Sequence, residues 1–410
     1  MNLFYNIAIS AYSIAVKAVA SRNVKASKMI EGQSHTIATL RSKICSSDRY
    51  VWVHASSLGE FEQGRPLIEM IKRTHPELKI LLTFFSPSGY EVRKNYSEAD
   101  VVCYLPFDKP KLVEQFLDAA HPEMAIFVKY EFWGNYLNSL KRRGIPTYII
   151  SSIFREKQSF FKPWGGMFRG MLHCFTHIFV QDDNSKKLLA GIGVNNVTVA
   201  GDTRFDRVTD ILAGSKSFPI VEKFVADSKF TMIIGSSWEP DEDIVIPYFN
   251  EHPNMKLIIA PHEFDDTRLQ NIIARITHPA MLYSKATEDN VAAQDCLIID
   301  CFGILSSCYR YADTAYIGGG FGAGIHNVNE AAVYGIPVVF GPNYKKFREA
   351  HELIDCEGGY TINGKDDFKA IADRLISDSE YLALHGKIAG DYIHSHLGAT
   401  KRIFDYIFGK

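Results

Sequence analysis

The sequence predicts an α/β protein of two Rossmann-like domains facing a central cleft, with an apolar helix at the N-terminus. Three observations predict this. Short apolar runs rich in Val, Ile and Phe alternate with helix-spaced segments from residue 50 onward. The alternation breaks at a polar stretch, Asp202–Ser217, and then starts again. The runs are apolar throughout, without the period-two pattern of a half-solvated sheet, so both faces of each sheet should be covered, as in parallel sheets. A chain of 410 residues is also long for one core.

In the first series the expected strands are Tyr50–Val53, Ile80–Phe85, Val101–Leu105, Met124–Val128, Thr147–Ser151 and Ile178–Gln181. Helical spacing lies between them, as in Phe61–Lys72, Lys109–Ala120 and Phe132–Arg143. The second series is Thr231–Ile234, Lys256–Ala260, Ala280–Leu282, Cys296–Ile299, Thr314–Ile317 and Val338–Phe340. Helical stretches from Asp366 to Phe408 close the chain. The expected boundaries are therefore 1–45 for a membrane-associating helix and basic segment, 46–205 for the first Rossmann-like domain and 206–385 for the second. Residues 386–410 are expected to form a helix packing back on the first domain.

Composition narrows the class. A hydrophobic content of 46%, with 22% charged residues, is that of a globular protein, and a net charge of −2 gives no global attraction to nucleic acid. The seven cysteines form no C-x-x-C pair and read as reduced thiols, and no His/Cys combination has zinc spacing. Residues 1–45 carry six Lys/Arg against the single acid Glu31. The apolar run before Lys17 is interrupted by Asn6, Ser10 and Ser13 and has no basic segment ahead of it. It fits neither a cleaved signal nor a confident membrane span. An apolar helix followed by cations suits a membrane-surface anchor, with a helix packed on the protein's own core as the plain alternative.

The chemistry candidates sit where strands end. The longest is Gly318-Gly-Gly-Phe-Gly-Ala-Gly-Ile-His-Asn327 with Glu330, between a strand and a helix-like run. Its spacing is neither G-x-G-x-x-G nor a Walker loop. Free N–H groups at a helix start favour a phosphate, and a carboxylate three residues from Asn327 can accept from sugar hydroxyls. A nucleotide held by phosphate and ribose fits both. In the first domain, the strand Tyr50–Val53 runs into His54-Ala-Ser-Ser-Leu-Gly-Glu60. Glu60, at a helix start, complements the dipole or serves as general base, with His54 and Ser56 or Ser57 orienting it. Gly235-Ser-Ser-Trp238, Pro261-His-Glu263 and Lys129-Tyr-Glu-Phe-Trp133 are further strand-end loops. Asp241-Glu-Asp243 reads as first-turn acids rather than a metal site, so neither a metal nor a cofactor is expected.

Taken in order, His54 to Glu60, Tyr130 to Trp133, Gly201-Asp-Thr-Arg-Phe-Asp206, Gly235 to Glu239 and Gly318 to Glu330 resemble the 3-deoxy-D-manno-octulosonic acid (Kdo) transferases of lipopolysaccharide synthesis. The resemblance runs to about residue 350. It implies a GT-B glycosyltransferase moving Kdo from CMP-Kdo to the lipid A precursor at the cytoplasmic face of the inner membrane. It also implies Glu60 as catalytic base. For the donor it implies Asn327 and Glu330 on CMP, helped by Gly235, Ser236, Ser237, His262, Gly319, Gly320 and His326. His54, Ser57, Lys129, Glu131 and Arg155 fall to the acceptor. The chain departs from the family at Lys129-Tyr130, where Glu-Thr is usual, and at Ser151-Ser-Ile-Phe-Arg155, where the family has Asn-Ala-Arg. It departs again at Pro261-His262, where the family often has Pro-Arg-His-Pro, so the arginine expected at the donor phosphate is absent or supplied from elsewhere.

A last feature is residues 141–170, with seven cations against Glu156 and interleaved aromatics such as Phe154, Phe160 and Trp164. This pattern suits an anionic glycolipid surface, with RNA or an ordinary solvated face as rivals. Rival functions are another GT-B sugar-nucleotide enzyme, including an epimerase, and a non-catalytic nucleotide-binding scaffold.

Overall fold

A computed structural model describes residues 3–214 and 216–409; Met1, Asn2, Ser215 and Lys410, which the N-terminal, linker and C-terminal expectations include, lie outside it. The chain forms two compact units, one of Met1–Arg207 with Leu397–Lys410 and the other of Val208–His396.

The first unit holds a seven-stranded sheet: β1 (Arg49–His54), β2 (Leu78–Phe84), β3 (Val101–Tyr104), β4 (Pro122–Val128), β5 (Thr147–Ser152), β6 (His177–Val180) and β7 (Val197–Val199). Their order is β3-β2-β1-β4-β5-β6-β7 and every pairing is parallel. Helices cover both faces, and the strands are buried as their unbroken apolar runs require. Trp52, Phe116, Phe127 and Tyr136 fill one face; Val51, Phe61, Phe84 and Ile403 fill the other.

The second unit repeats the design with β8 (Thr231–Ser237), β9 (Lys256–Pro261), β10 (Ala280–Leu282), β11 (Cys296–Ile298), β12 (Thr314–Ile317), β13 (Val338–Phe340) and β14 (Gly359–Thr361). The order is β10-β11-β9-β8-β12-β13-β14, again all parallel. Each sheet carries one strand absent from the sequence reading, β7 and β14. Both are three-residue edge strands, too short to show a pattern. The order reverses between β1 and β4 in one sheet and between β8 and β12 in the other. In doubly wound sheets, the crevice at that switch point binds ligand.

Two boundaries differ from the sequence reading. The polar stretch taken as a linker contains a helix, Thr203–Ala213, and the units divide within it. Its polar residues are consumed locally: Asp202 accepts from the Arg204 backbone and pairs with its guanidinium, while Phe205 and Val208 are buried. The chain rejoins the first unit at Leu397 rather than Gly386. Gly386 and Gly390 do not break the helix Ser379–Ser395; they let it approach the backbone of Gly335, where a Cβ on Gly386 would lie 2.3 Å from the Gly335 oxygen.

The N-terminus forms two helices, Leu3–Val19 and Val24–Lys43. No single helix among the described residues is long and apolar enough to cross a membrane; these two pass on length and composition only as a pair bent by 118°. Asn6, Ser10 and Ser13 are not interruptions, for they share one face at helical spacing and turn toward the protein. Asn6 Oδ1 accepts from Asn135 Nδ2 at 2.8 Å, and the Tyr5 hydroxyl donates to the buried Asp108 carboxylate at 2.6 Å. Leu3, Phe4, Ile7 and Ile14 point outward, each more than half exposed.

Candidate active site

At the first switch point, β1 ends in His54 and the chain turns through Ala55-Ser56-Ser57 into the helix Leu58–Thr74. Ser57 and Glu60 start this helix as a capping box, with Glu60 Oε2 accepting the Ser57 N–H at 3.2 Å. The dipole-complementing role is thus real, but it does not exhaust the residue. Burial, and next the nearby Glu131 carboxylate, push the Glu60 pKa from 4.5 to about 7, against the opposing pull of His54 and the Ser56 and Ser57 amides. A carboxylate half-ionised near neutrality matches what a general base needs.

Behind it lies a buried polar network. His54 Nε2 is 3.0 Å from Glu131 Oε2, and its Nδ1 faces the Thr83 carbonyl and hydroxyl at 3.1 and 2.9 Å. The Trp52 indole donates to the same hydroxyl at 2.8 Å, and the Trp133 indole to the Glu131 carboxylate. His54 has no exposed surface and Glu131 only 7%. Neither is placed to touch an acceptor, contrary to the sequence reading, because the network uses their polar atoms. Their charges are felt at Glu60, Glu131 raising its pKa and His54 lowering it. Ser57 is spent on the helix start, leaving its side chain only half-buried. Lys129 follows β4 with a φ of +69°, its ammonium 5.5 Å from the centre of the Tyr130 ring. Arg155 is exposed.

Tyr130 draws these loops together. Burial raises its pKa most, and the charges it feels are Arg155, Asp182, Glu60 and Arg204. Its hydroxyl therefore lies within the electrostatic reach of two arginines, Asp182 and the candidate base. Arg204 lies within the Gly201–Asp206 motif, where nothing along the chain gives it a role; its placement beside Tyr130 required the fold.

At the second switch point, β8 runs on to Ser237, three residues beyond the expected Ile234, through a register shift where Ser236 has a φ of +54°. Gly235 and Ser237 serve the fold. A Cβ on Gly235 would meet the Tyr309 hydroxyl at 1.9 Å, and Ser237 is fully buried, donating to Glu242 at 2.8 Å. Ser236 alone of the three keeps an exposed side.

The glycine-rich loop after β12 corrects the phosphate argument. The helix following it is four residues long, Asn329–Ala332, so it brings little dipole. The Gly319 N–H is taken by the Asp241 carboxylate at 2.9 Å. Gly319, with a φ of +90°, and Gly320 are required by close approach, since a Cβ on Gly320 would lie 2.5 Å from the Gly341 nitrogen. Gly319 nonetheless lines the cavity described below. Asp241 and Glu242 act within the fold, Glu242 pairing with Arg268 at 2.7 Å.

The loop does assemble an aromatic wall. Trp238, His262 and His326 stack in series, with centroids 4.9 and 4.3 Å apart. The Trp238 indole donates to His326 Nε2 at 3.3 Å. Burial, with His262 as a lesser cause, lowers the His326 pKa to about 4, so the ring is neutral at pH 7. A cavity of about 470 Å³ lies against this wall, bounded also by Phe321 and Gly324. At the end of the glycine-rich loop Asn327 Nδ2 donates to Glu330 Oε1 at 3.0 Å and Asn327 Oδ1 accepts from the Asn329 amide. This leaves Glu330 as a half-buried carboxylate at the loop's end.

In the basic, aromatic span 141–170 the cations Lys141, Arg142, Arg143, Arg155 and Lys157 are exposed, but most of the aromatics are not part of that surface. Phe154 and Phe160 are core, packed with Phe132 and Phe175. Arg142 and Arg143 pair with Glu114, and Arg169 donates to the carbonyls of Phe160 and Lys162. The interleaved aromatics were a packing pattern, and Trp164, 67% exposed, is the exception.

Two all-parallel sheets of this order define a fold class, the two-unit GT-B type. Similar solved structures include the UDP-GlcNAc 2-epimerase of Neisseria meningitidis, with a TM-score of 0.61 at 14% identity, covering 88% of this chain and 100% of that one. MurG of Acinetobacter baumannii has a TM-score of 0.56 at 11% identity, with coverage of 88% and 100%. Residues 28–207 match the family described as 3-Deoxy-D-manno-octulosonic-acid transferase (kdotransferase). The 3-deoxy-D-manno-octulosonic acid transferase of Aquifex aeolicus is 26% identical over 354 residues, 84% of this chain and 91% of its own. That of Bordetella pertussis is 26% identical, with coverage of 87% and 86%. Along most of its length the chain is similar to Kdo transferases.

Proposed function

We propose that this protein transfers Kdo from CMP-Kdo to a hydroxyl of the lipid A precursor, with Glu60 as the base. The single observation that carries the mechanism is the Glu60 carboxyl, raised to about 7 at the carboxyl end of β1. The family carries the substrates. In the transfer, Glu60 takes the proton of the acceptor hydroxyl as its oxygen bonds to the anomeric carbon of Kdo. The bond from that carbon to the phosphate of CMP breaks on the opposite face, which inverts the configuration. CMP leaves with the bonding electron pair on its phosphate, so stabilising that charge is the task of the second unit.

On this reading Glu330 and Asn327 accept and donate to the ribose hydroxyls, Ser236 and the aromatic wall line the donor, and Lys129, Tyr130 and Arg155 face the acceptor. His54 and Glu131 act through Glu60. The outward apolar face of the first helix rests on the cytoplasmic leaflet of the inner membrane, where the acceptor resides. In support, Lys17, Arg22 and Lys25 stand exposed at its end and immediately after it.

The direct test is mass spectrometry of a lipid A precursor incubated with the protein and CMP-Kdo. A mass gain of one or more Kdo units is expected, with release of CMP. An unchanged acceptor with intact CMP-Kdo overturns the assignment.

A further inference from the structure

The donor's phosphate is anionic when bound and gains charge as CMP departs, yet the short helix after the glycine-rich loop brings little dipole to it. That helix has four residues, the Gly319 amide of the loop already serves a carboxylate, and His326 accepts a hydrogen bond at Nε2. The segment after β9 carries His262 but no arginine. The cations nearest in the chain are otherwise engaged. Arg268 pairs with Glu242, and Arg348 pairs with Glu352 at 2.7 Å. Arg310 lies over the Tyr311 ring.

A second loop, Gly341–Phe347 after β13, is built into the first. Gly341 seats its backbone against Gly320 and the Phe321 ring. The Asn343 amide donates to the Gly320 carbonyl, and its Nδ2 to the Gly322 carbonyl, both at 2.9 Å. The Phe347 ring closes on Gly324, where a Cβ would lie 3.0 Å from it. Four contacts thus tie the two loops together. Between those ties the second loop carries consecutive cations, Lys345 and Lys346, both exposed and, among the described residues, neither ion-paired. His351 Nε2 is 3.3 Å from the Lys345 carbonyl, which fixes the backbone beneath them.

We propose that Lys345 and Lys346 supply the phosphate-binding charge of the donor site, the role for which the Pro261-His262 segment has no arginine. The inference rests on the reading of the second unit as the CMP-sugar site. It adds which residues hold the phosphate. Lysine suits the task as a mobile point charge on a long stem that can follow a phosphate as it leaves. Two of them in sequence give one ammonium for each of two phosphate oxygens.

The test compares CMP with cytidine by titration calorimetry on the full chain. In Lys345→Gln/Lys346→Gln, the CMP dissociation constant should rise about tenfold or more, the scale of a lost charge-assisted bond. Cytidine, which lacks the phosphate, should bind as it does to the unaltered protein. The dependence of CMP affinity on salt should flatten in the same variant. Lys345→Arg/Lys346→Arg keeps the charge and should keep most of the affinity, which separates a lost charge from a disturbed loop. Unchanged CMP affinity in the Gln variant, or an equal loss for cytidine, overturns the inference. If the unaltered protein binds no CMP, the donor reading itself fails, and with it this inference.

Discussion

Glu60 holds a helix start and a proton in the same place. Its carboxylate accepts the Ser57 amide, yet burial and Glu131 keep it protonated at a pH where a surface glutamate is fully ionised. Glu60→Gln retains the cap acceptor and removes the base. Transfer is expected to fall by ~10²–10⁴-fold, with CMP affinity nearly unchanged; turnover near normal would exclude the assignment. Because the ionised form is the active one, the rate should climb with pH through about 7. At pH 6 about a tenth of the sites are competent. The neighbours then act with opposite sign. Glu131→Gln removes a like charge and should move the acidic limb of the kcat/KM profile to lower pH. His54→Asn removes an opposing influence and should move it upward. If both limbs stay in place, the network positions Glu60 without tuning it.

Among the elements, the helix Leu3–Val19 is docked by its polar side and bare on its apolar side. Tyr5 and Asn6 reach Asp108 and Asn135, and Asp108 in turn accepts the Asn135 and Tyr136 amides at the start of the helix Gly134–Arg142. A helix that turns its polar residues inward gains nothing from the protein's core for its outward Leu3, Phe4, Ile7 and Ile14. A lipid surface would supply that gain at about 25 cal/mol per Å² buried. Changing these four residues to Ser should release the protein from anionic vesicles in flotation, while transfer to a detergent-dispersed acceptor continues. Retention of the variant on vesicles in high salt would place the anchor elsewhere.

For the whole molecule, the chain passes between units twice, at Arg207/Val208 and at His396/Leu397. One side chain secures both strands of that passage on the first unit's side. The Asp206 carboxylate accepts the Gly398 and Thr400 amides, each at 2.6 Å, at the start of the helix Ala399–Phe408. Ile403 and Ile407 of that helix complete a core face of the first unit. Asp206→Ala leaves two helix-start amides without their acceptor, at a cost of about 1–3 kcal/mol. A lower melting temperature and faster proteolytic removal of residues 397–410 are the expected readouts. If the C-terminal helix resists cleavage as before, Ile403 and Ile407 hold it unaided.

The sequence by itself determined the two sheets and the strand ends at which candidate groups stand. Long apolar runs such as Val51–Val53 and Lys256–Ala260 can only be strands buried on both faces. In parallel sheets the loops at their carboxyl ends are where side chains can converge. Glu60, Asn327 and Glu330 stand out there as candidates because each follows a glycine turn at the carboxyl end of a strand. Even the docked face of the first helix was written in the spacing of Asn6, Ser10 and Ser13. Tertiary structure alone decided which polar atoms remain free. Ser237, Gly319 and His54 look like ligand-binding groups in the sequence, but Glu242, Asp241 and the Thr83–Glu131 pair claim them. Most of those partners lie at sequence separations that no local pattern records. The same holds for Lys345 and Lys346, an ordinary charged pair along the chain. The segment that carries them is tied to the glycine-rich loop because Gly320 and Gly341, without side chains, let two strand ends touch.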